Sequence, residues 1–344
     1  MRLLVYSPAF LPHVGGLEIN VAQTATEMTL QGIEVVVVTA TENREADDFP
    51  FRVVRRPNPV ELLRWVIWCD IFYQANVSLR GLWPLLVVLR PWVVSHHSWY
   101  RRPDGRIAWQ DRLKRFFLRY AAVSIAVSWA MAADLDIPST VIPNAYRDDL
   151  FRVLPDAAGI ARDRDLVFLG RLVSDKGVDI LLDALAQLET EGLTPRLTIV
   201  GVGPERPRLE AQAARLGLAG RLDFVGLRTG EELVRLLNAH RILVAPSRYN
   251  EPFGIVALEG IACGCVVVGS SGGGLPEAIG PCGVTFPNGD AAALAAVLSR
   301  LLRDPRAGEE LMRHAPEHLA HHTEAYVSGK YVDVLTLALR GYRR

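Results

Sequence analysis

The sequence predicts an α/β protein made of two doubly wound parallel sheets that follow one another along the chain. Short β-branched and aromatic runs alternate with helical patterns from end to end, the grammar of strands joined by crossover helices on both faces of a sheet. That grammar starts afresh after a polar stretch, DAAGIARDRD at 156–165, the expected linker. At 344 residues, half of them apolar, the chain is too long for one compact core and has apolar material for two.

In order, the first half offers the strands LLVYS, EVVVVTA, FRVV, DIFYQ, WVVS, VSIAV and TVIP, with a helix opening after Gly16. The second half offers LVFLG, RLTIVG, LDFVG, RILVAPS, CVVVGS and GVTF. The expected domains are therefore 1–158 and 159–322, with a last helix around EAYVSGKYVDVLTLALR. The apolar stretch LWPLLVVLRPWVV carries Pro84, Arg90 and Pro91, so it predicts a helix followed by a strand, not a membrane span. Ligands of open sheets bind at the carboxyl ends of strands, and both domains are expected to contribute to one interdomain cleft.

Composition narrows the function. Thirty-eight basic residues balance thirty-eight acidic ones, leaving no global electrostatic footprint for nucleic acid. Cysteines 69, 263, 265 and 282 lack paired C-x-x-C spacing, which points to buried thiols rather than disulfides or zinc. The start MRLLVYSPAFLP has too short an apolar run for a signal peptide, so a soluble cytoplasmic protein is expected. No internal repeat or low-complexity tract is visible.

The stretch EPFGIVALE, between ILVAPS and VVVGS, places Glu251 in a loop and Glu259 in a helix, eight positions apart. At helical rise that interval spans roughly 12 Å, which suits a nucleotide diphosphate sugar with its sugar near Glu251 and its ribose near Glu259. The amides of Phe253, Gly254 and Ile255 would meet the diphosphate at the helix mouth, where unpaired donors and the helix dipole favour an anion without a metal. Acidic residues near helix starts also serve as caps, which is the plainer reading. Upstream, Arg171 and Lys176 follow the strand DLVFLG, two cations suited to a diphosphate leaving group, or else solvated surface charges.

With these residues in place, the chain resembles the retaining glycosyltransferases of family 4, which have the GT-B fold of two Rossmann-like domains. The resemblance rests on GGLE, VVSHHSWY, AVS at 126–128, VIPN at 141–144, GR followed by Lys176, GVGP at 201, FVG at 224, EPFGIVALE and SGGGLPE, in family order over nearly the whole chain. It implies transfer of a hexose, with retention, from a UDP- or GDP-sugar to a hydroxyl of a glycan or lipid-linked acceptor, without cofactor or metal. Neither DLD at 134–136 nor DRD at 163–165 reads as a metal motif. It further implies that the last helix, 323–344, packs back on the first domain.

The implied donor contacts fall on Gly15, Gly16, Ser128, Asn144, Gly201, Gly203 and Gly226, with Gly273, Gly274 and Glu277 forming a donor-side loop. His97, favoured over its neighbour His96 by strand alternation and register, would donate to the transferred sugar. Gly15 and Gly16 could alternatively mark a tight turn needing positive φ. Where the family continues VIPN with glycine and an acidic residue, this chain has Ala145, Tyr146 and Arg147.

Other classes compete. GSSGG at 269–273 formally matches a hydrolase elbow with Ser271 as nucleophile, Asp290 or Asp304 as acid and His314 or His318 as base. Arg206 stands where a dinucleotide fingerprint needs its third glycine, and Pro316 separates His314 from His318, so dehydrogenase and metal readings are weak. A sugar-nucleotide epimerase or a silent sugar-nucleotide binder would share the fold. The basic aromatic segment 101–120 puts Leu113, Phe116, Phe117 and Tyr120 on one helical face beside Arg112, Arg115 and Arg119. It reads as a peripheral contact with an anionic membrane or as an ordinary helix with its aromatics inside. Trp65, Trp68, Trp83, Trp92 and Trp99 read mainly as core of the first domain.

Overall fold

A computed structural model describes residues 1–342 apart from 14, 44–46, 103–104 and 156–158. Part of the expected linker and part of segment 101–120 therefore lie outside the described residues. The chain forms two compact units, Met1–Ala145 joined by the segment from Glu324, and Tyr146–Thr323.

In the first unit, β1 (Arg2–Ser7), β2 (Glu34–Thr39), β3 (Arg52–Arg55), β4 (Ile71–Ala75), β5 (Trp92–His96), β6 (Val123–Ala126) and β7 (Thr140–Val141) make a seven-stranded sheet. Its order is β3-β2-β1-β4-β5-β6-β7, with every neighbouring pair parallel. In the second unit, β8 (Arg164–Leu169), β9 (Leu197–Val200), β10 (Leu222–Gly226), β11 (His240–Ala245), β12 (Val266–Ser270) and β13 (Gly283–Phe286) make a six-stranded sheet ordered β10-β9-β8-β11-β12-β13, also parallel throughout. All five residues of β4, β5 and β12 are buried, as strands covered by helices on both faces require. The strand order reverses between β1 and β4 in one sheet and between β8 and β11 in the other, the kind of place where open parallel sheets bind ligands.

The unit boundary at Ala145/Tyr146 precedes the sequence boundary at 158 because the intervening chain is laced to the second unit. The Tyr146 amide donates to the His322 carbonyl at 3.1 Å. The buried Asn238 accepts from the Leu154 amide at 2.8 Å and donates to the Arg152 carbonyl at 2.9 Å. Asp165 of the supposed linker belongs to β8, where its carboxylate accepts from the Arg196 amide at 3.0 Å.

The C-terminal helix Glu324–Tyr342 packs on helix Gly16–Leu30, burying Val327, Tyr331 and Leu335 in the first unit's core. Gln31 donates to Ser328 at 3.0 Å and Gln23 bonds Glu324 at the edges of that contact. The tryptophan expectation needs correcting, since only Trp92 is enclosed and Trp65, Trp68, Trp83 and Trp99 are partly exposed. They lie on helices and loops outside the sheet, where Trp65 and Trp68 pack edge-on to each other at 5.4 Å and Arg52 stacks over Trp65.

In segment 101–120 the helix runs from Trp109 to Leu118 and buries Leu118, while Phe116 and Tyr120 remain exposed at 48% and 70%. Arg115 sets that rotation by binding Asp134 at 2.6 Å and Asp136 at 3.3 Å, so it is not a free surface cation. All four cysteines are buried thiols. Among the described residues no helix is long and apolar enough to cross a membrane.

Replacing Leu335, fully buried at the C-terminal helix contact, with alanine is expected to cost about 2–5 kcal/mol of first-unit stability. Equilibrium unfolding in urea, followed by near-ultraviolet signal, reads that loss directly.

Candidate functional site

The loops leaving β8 and β11 are joined backbone to backbone. Gly177 takes φ 66°, and a Cβ there would lie 2.0 Å from the Pro246 carbonyl oxygen. The amides of Arg248 and Tyr249 both donate to the Asp175 carbonyl, at 2.9 and 3.3 Å, and Arg248 binds Asp179 at 2.5 Å. This lacing brings Lys176 Nζ to 2.5 Å from Glu251 Oε1, which also accepts from Ser247 Oγ at 2.6 Å. The pair is mostly shielded, with side-chain exposures of 27% and 14%.

Glu251 is also held by its backbone. Its carbonyl accepts from the Gly274 amide at 2.7 Å, and it bridges in parallel to Gly273, whose φ of 74° leaves no room for a Cβ beside that carbonyl. Gly273 and Gly274 thus meet Glu251 itself. Next along the chain, Gly254 caps helix Ile255–Ala262 at φ 116° without a side-chain hydrogen bond. The helix begins only at Ile255, so helical rise applies to just the second half of the interval between Glu251 and Glu259. Phe253 is core, 2% exposed and 5.8 Å from the His322 ring.

Glu259, one turn into that helix, is partly buried. Burial pushes its carboxyl up to about 7, against the opposing pull of Arg147. Arg147, one of the residues departing from the family pattern, is thus an electrostatic neighbour of the expected ribose ligand.

Arg171 is exposed on the loop after β8. The glycines nearby have packing reasons for being glycine. At Gly201, with φ 139°, a Cβ would lie 1.9 Å from the Gly170 carbonyl, and at Gly203 one would lie 2.2 Å from the Leu172 carbonyl. The Gly201 amide donates to the Gly226 carbonyl at 2.8 Å.

In the first unit, His97 follows β5. Its backbone amide donates to Asn76 Oδ1 at 2.8 Å, and its Nε2 lies 2.8 Å from Ser95 Oγ. Nδ1 is buried and makes no hydrogen bond of close geometry among the described residues. Burial lowers its pKa to about 4, opposed by a hydrogen bond of looser geometry to the Asn144 side chain. His96, the competitor, is wholly buried and uses both ring nitrogens, Nδ1 to Tyr100 Oη at 2.8 Å and Nε2 to Ser124 Oγ at 3.0 Å. Of the two rings, that of His97 has a nitrogen without a close hydrogen bond among the described residues.

Three expected donor contacts have structural occupations. Ser128 caps helix Trp129–Asp134 by accepting from the Met131 amide at 3.1 Å. Asn144 is 7% exposed, and its Oδ1 accepts from Asn20 at 3.2 Å. Gly15 is extended at φ −159° and caps the helix that Gly16 opens, so a turn needing positive φ does not account for it. The sequence reading missed Asn76, Ser95 and Tyr73. Only Asn76 left a trace, as an asparagine directly after a strand, the type that tolerates the left-handed φ of 65° found there.

The hydrolase constellation does not assemble. Asp290 and Asp304 are helix caps, accepting from the amides of Ala293 and Arg306, and His318 Nε2 is bonded to the Ala278 carbonyl at 2.8 Å. Ser271 also lacks a positive φ, the strain that marks a nucleophile elbow. Among the described residues no three His, Cys, Asp or Glu side chains gather in a metal-binding group.

Residues 155–318 match the family described as glycosyl transferases group 1. The chain is similar to a D-inositol 3-phosphate glycosyltransferase of Saccharomonospora viridis, 34% identical over 394 residues covering 96% of this chain and 90% of that one. A D-inositol 3-phosphate glycosyltransferase of Streptomyces bingchenggensis is 38% identical over 193 residues, 52% of this chain and 41% of the relative. This chain thus spans less than half the length of the first curated relatives it matches, 41% and 44%. The crystal structure of Anabaena HepE in complex with UDP and glucose superposes with a TM-score of 0.80 at 22% identity, covering 98% of this chain and 99% of that one, a likeness of fold.

The raised carboxyl of Glu259 predicts a pH dependence. Between about 4.5 and 7 the folded chain holds a proton that the unfolded chain has released, so stability falls as pH rises through that window. Melting temperatures recorded across it are expected to decline more steeply for the parent than for Glu259→Gln. Parallel curves would remove the assignment.

Proposed function

Because the chain belongs to the glycosyl transferases group 1 family and has the GT-B fold, we propose that it transfers a hexose from a nucleotide diphosphate sugar to an acceptor hydroxyl. The observation that carries this reading is the Lys176–Glu251 pair, set where the strand order of its sheet reverses and next to an uncapped helix mouth. Lys176, Arg171 and the amides around Gly254 take the diphosphate. Glu251 offers sugar hydroxyls the carboxylate capacity that Lys176 and Ser247 leave over, and Glu259 takes the ribose. In the first unit, His97 donates to a sugar hydroxyl.

Negative charge grows on the leaving diphosphate, so cations and amides already fixed around it supply the largest catalytic contribution. Transfer is proposed to retain the anomeric configuration by same-face attack, the leaving phosphate accepting the acceptor's proton. The same groups offset phosphate charge without a metal. A UDP-sugar is the first donor to try, since HepE was crystallised with UDP and glucose, and a GDP-sugar is the second. Glycans and lipid-linked sugars are the acceptor classes proposed. For the lipid-linked class, Trp109, Phe116 and Tyr120, exposed on and beside one basic helix with Arg112 and Arg119, would rest on an anionic membrane surface. Flotation with liposomes that does not depend on anionic lipid would remove that contact.

Thermal-shift titrations with UDP, GDP, ADP and their sugar conjugates, first without metal and then with magnesium, test the reading. One nucleotide is expected to stabilise the protein selectively and to the same extent in both conditions. Lys176→Ala is expected to weaken that nucleotide about 10–100-fold, the worth of a hydrogen bond to a charged group. Glu251→Gln is expected to lower sugar transfer more than about tenfold while nucleotide affinity holds. Donor consumption with no acceptor incorporation would favour an epimerase, and binding with no turnover a silent binder.

A further inference from the structure

We propose that Tyr73 and Ser95, with Asn76 bracing the backbone, are positioning residues that hold the His97 imidazole as its Nδ1–H tautomer. The consequence for ligand recognition rests on the reading of His97 as a sugar-facing donor. The positioning itself rests on the contacts among these side chains and does not need that reading.

Tyr73 lies on β4 and Ser95 on the adjacent β5. Tyr73 Oη stands 2.7 Å from Ser95 Oγ, which stands 2.8 Å from His97 Nε2. Tyr73 and Ser95 are 3% and 0% exposed, so no solvent enters this chain. Behind it the fully buried Tyr331 of the C-terminal helix packs edge-on to Tyr73, ring centres 6.1 Å apart, its hydroxyl making no hydrogen bond of good geometry. Asn76 holds the other side of His97. Its Oδ1 accepts from the His97 amide and its own amide donates to the Ser95 carbonyl, both at 2.8 Å. To do so it adopts φ 65°, a left-handed strain that non-glycine residues keep mainly where the surroundings demand it.

Counting protons fixes the direction of the chain. The Tyr73 phenol stays protonated, its pKa pushed up to about 12 by burial with Ser95 and Tyr331 opposing, so it carries a proton that needs an acceptor. Ser95 Oγ accepts it and gives its own single proton to Nε2. With Nε2 accepting, the neutral ring carries its proton on Nδ1. The reverse order would turn Ser95 towards Tyr73, leave the phenol proton stranded in the core beside Tyr331, and make Nδ1 a bare acceptor. In the first order the Nδ1 proton has the Asn144 side chain facing it, whereas in the second a buried phenol proton has no acceptor, the costlier arrangement. The ring therefore holds one uncharged N–H directed at Asn144, whose Oδ1 has a second lone pair beside the one that takes a hydrogen bond from Asn20. A sugar hydroxyl taking that proton would have to replace Asn144 as its acceptor.

The test is the nitrogen spectrum of histidine-labelled full-length protein, with His97 assigned by its absence in His97→Gln. The parent is expected to show a protonated, pyrrole-type Nδ1 and a pyridine-type Nε2. Ser95→Ala is expected to collapse that difference towards an averaged ring, and Tyr73→Phe to reduce it less, with the amide fingerprint elsewhere unchanged. A protonated Nε2 in the parent, or a His97 pattern untouched by both variants, would overturn the proposal. In parallel, Ser95→Ala is expected to weaken UDP-glucose about tenfold while UDP stays within about twofold, the scale of one lost hydrogen bond. If the parent binds neither probe yet shows the stated tautomer and response, the donor reading fails and the positioning stands.

Discussion

The contact on which the second unit's site depends is between backbones: Gly177 pressed against the Pro246 carbonyl, and two amides of the β11 loop sharing the Asp175 carbonyl. Without it Lys176 and Glu251 would be a cation and an anion on separate loops. With it they are a shielded ion pair at 2.5 Å, anchored again through Ser247 and through the backbone of Gly273 and Gly274. An ion pair of two long side chains in water contributes little, because holding it costs rotamer freedom. Here the loops have already set that geometry, so the charges are fixed before any ligand arrives, the condition under which electrostatic stabilisation of a transition state is effective.

The glycines divide by the same logic. Gly201, Gly203 and Gly273 are places where one loop's backbone occupies the space of another's Cβ. Gly254 turns the chain into a helix at φ 116° with no side-chain cap, and a Cβ there would meet a side chain, that of Leu275, rather than another loop's backbone. Reading all of them as ligand contacts merges two constraints, close packing of loops and open approach to a ligand. The first unit shows the counterpart in polar groups. His96 and His97 are adjacent in sequence, yet one ring is fully engaged between Tyr100 and Ser124 while the other has a nitrogen without a close hydrogen bond among the described residues.

Much of this was legible beforehand because parallel strands buried on both faces announce themselves as short apolar runs, and because glutamates and basic residues stand where those runs end. The thirteen strands among the described residues coincide with runs picked out by alternation. What failed, failed for lack of contacts. The polar stretch at 156–165 looks like a linker by composition, but the chain joins the second unit at Tyr146 through single hydrogen bonds to His322 and Asn238 that no pattern encodes. Segment 101–120 reads as amphipathic whichever way it is turned, and the ion pair of Arg115 with Asp134 chooses the face. Ser128 matched a motif, and the structure uses its hydroxyl as a helix cap.

By itself the sequence determined two doubly wound sheets, their strands, the family, and the residue types waiting at the strand ends, because periodicity and local spacing are written in neighbouring residues. Only the tertiary structure decided which of those residues meet. The pairing of Lys176 with Glu251, 75 positions apart, and the buried line from Tyr73 through Ser95 to His97 arise from strands placed side by side. Partners brought together by sheet order share no local pattern, so nothing short of the fold could show them.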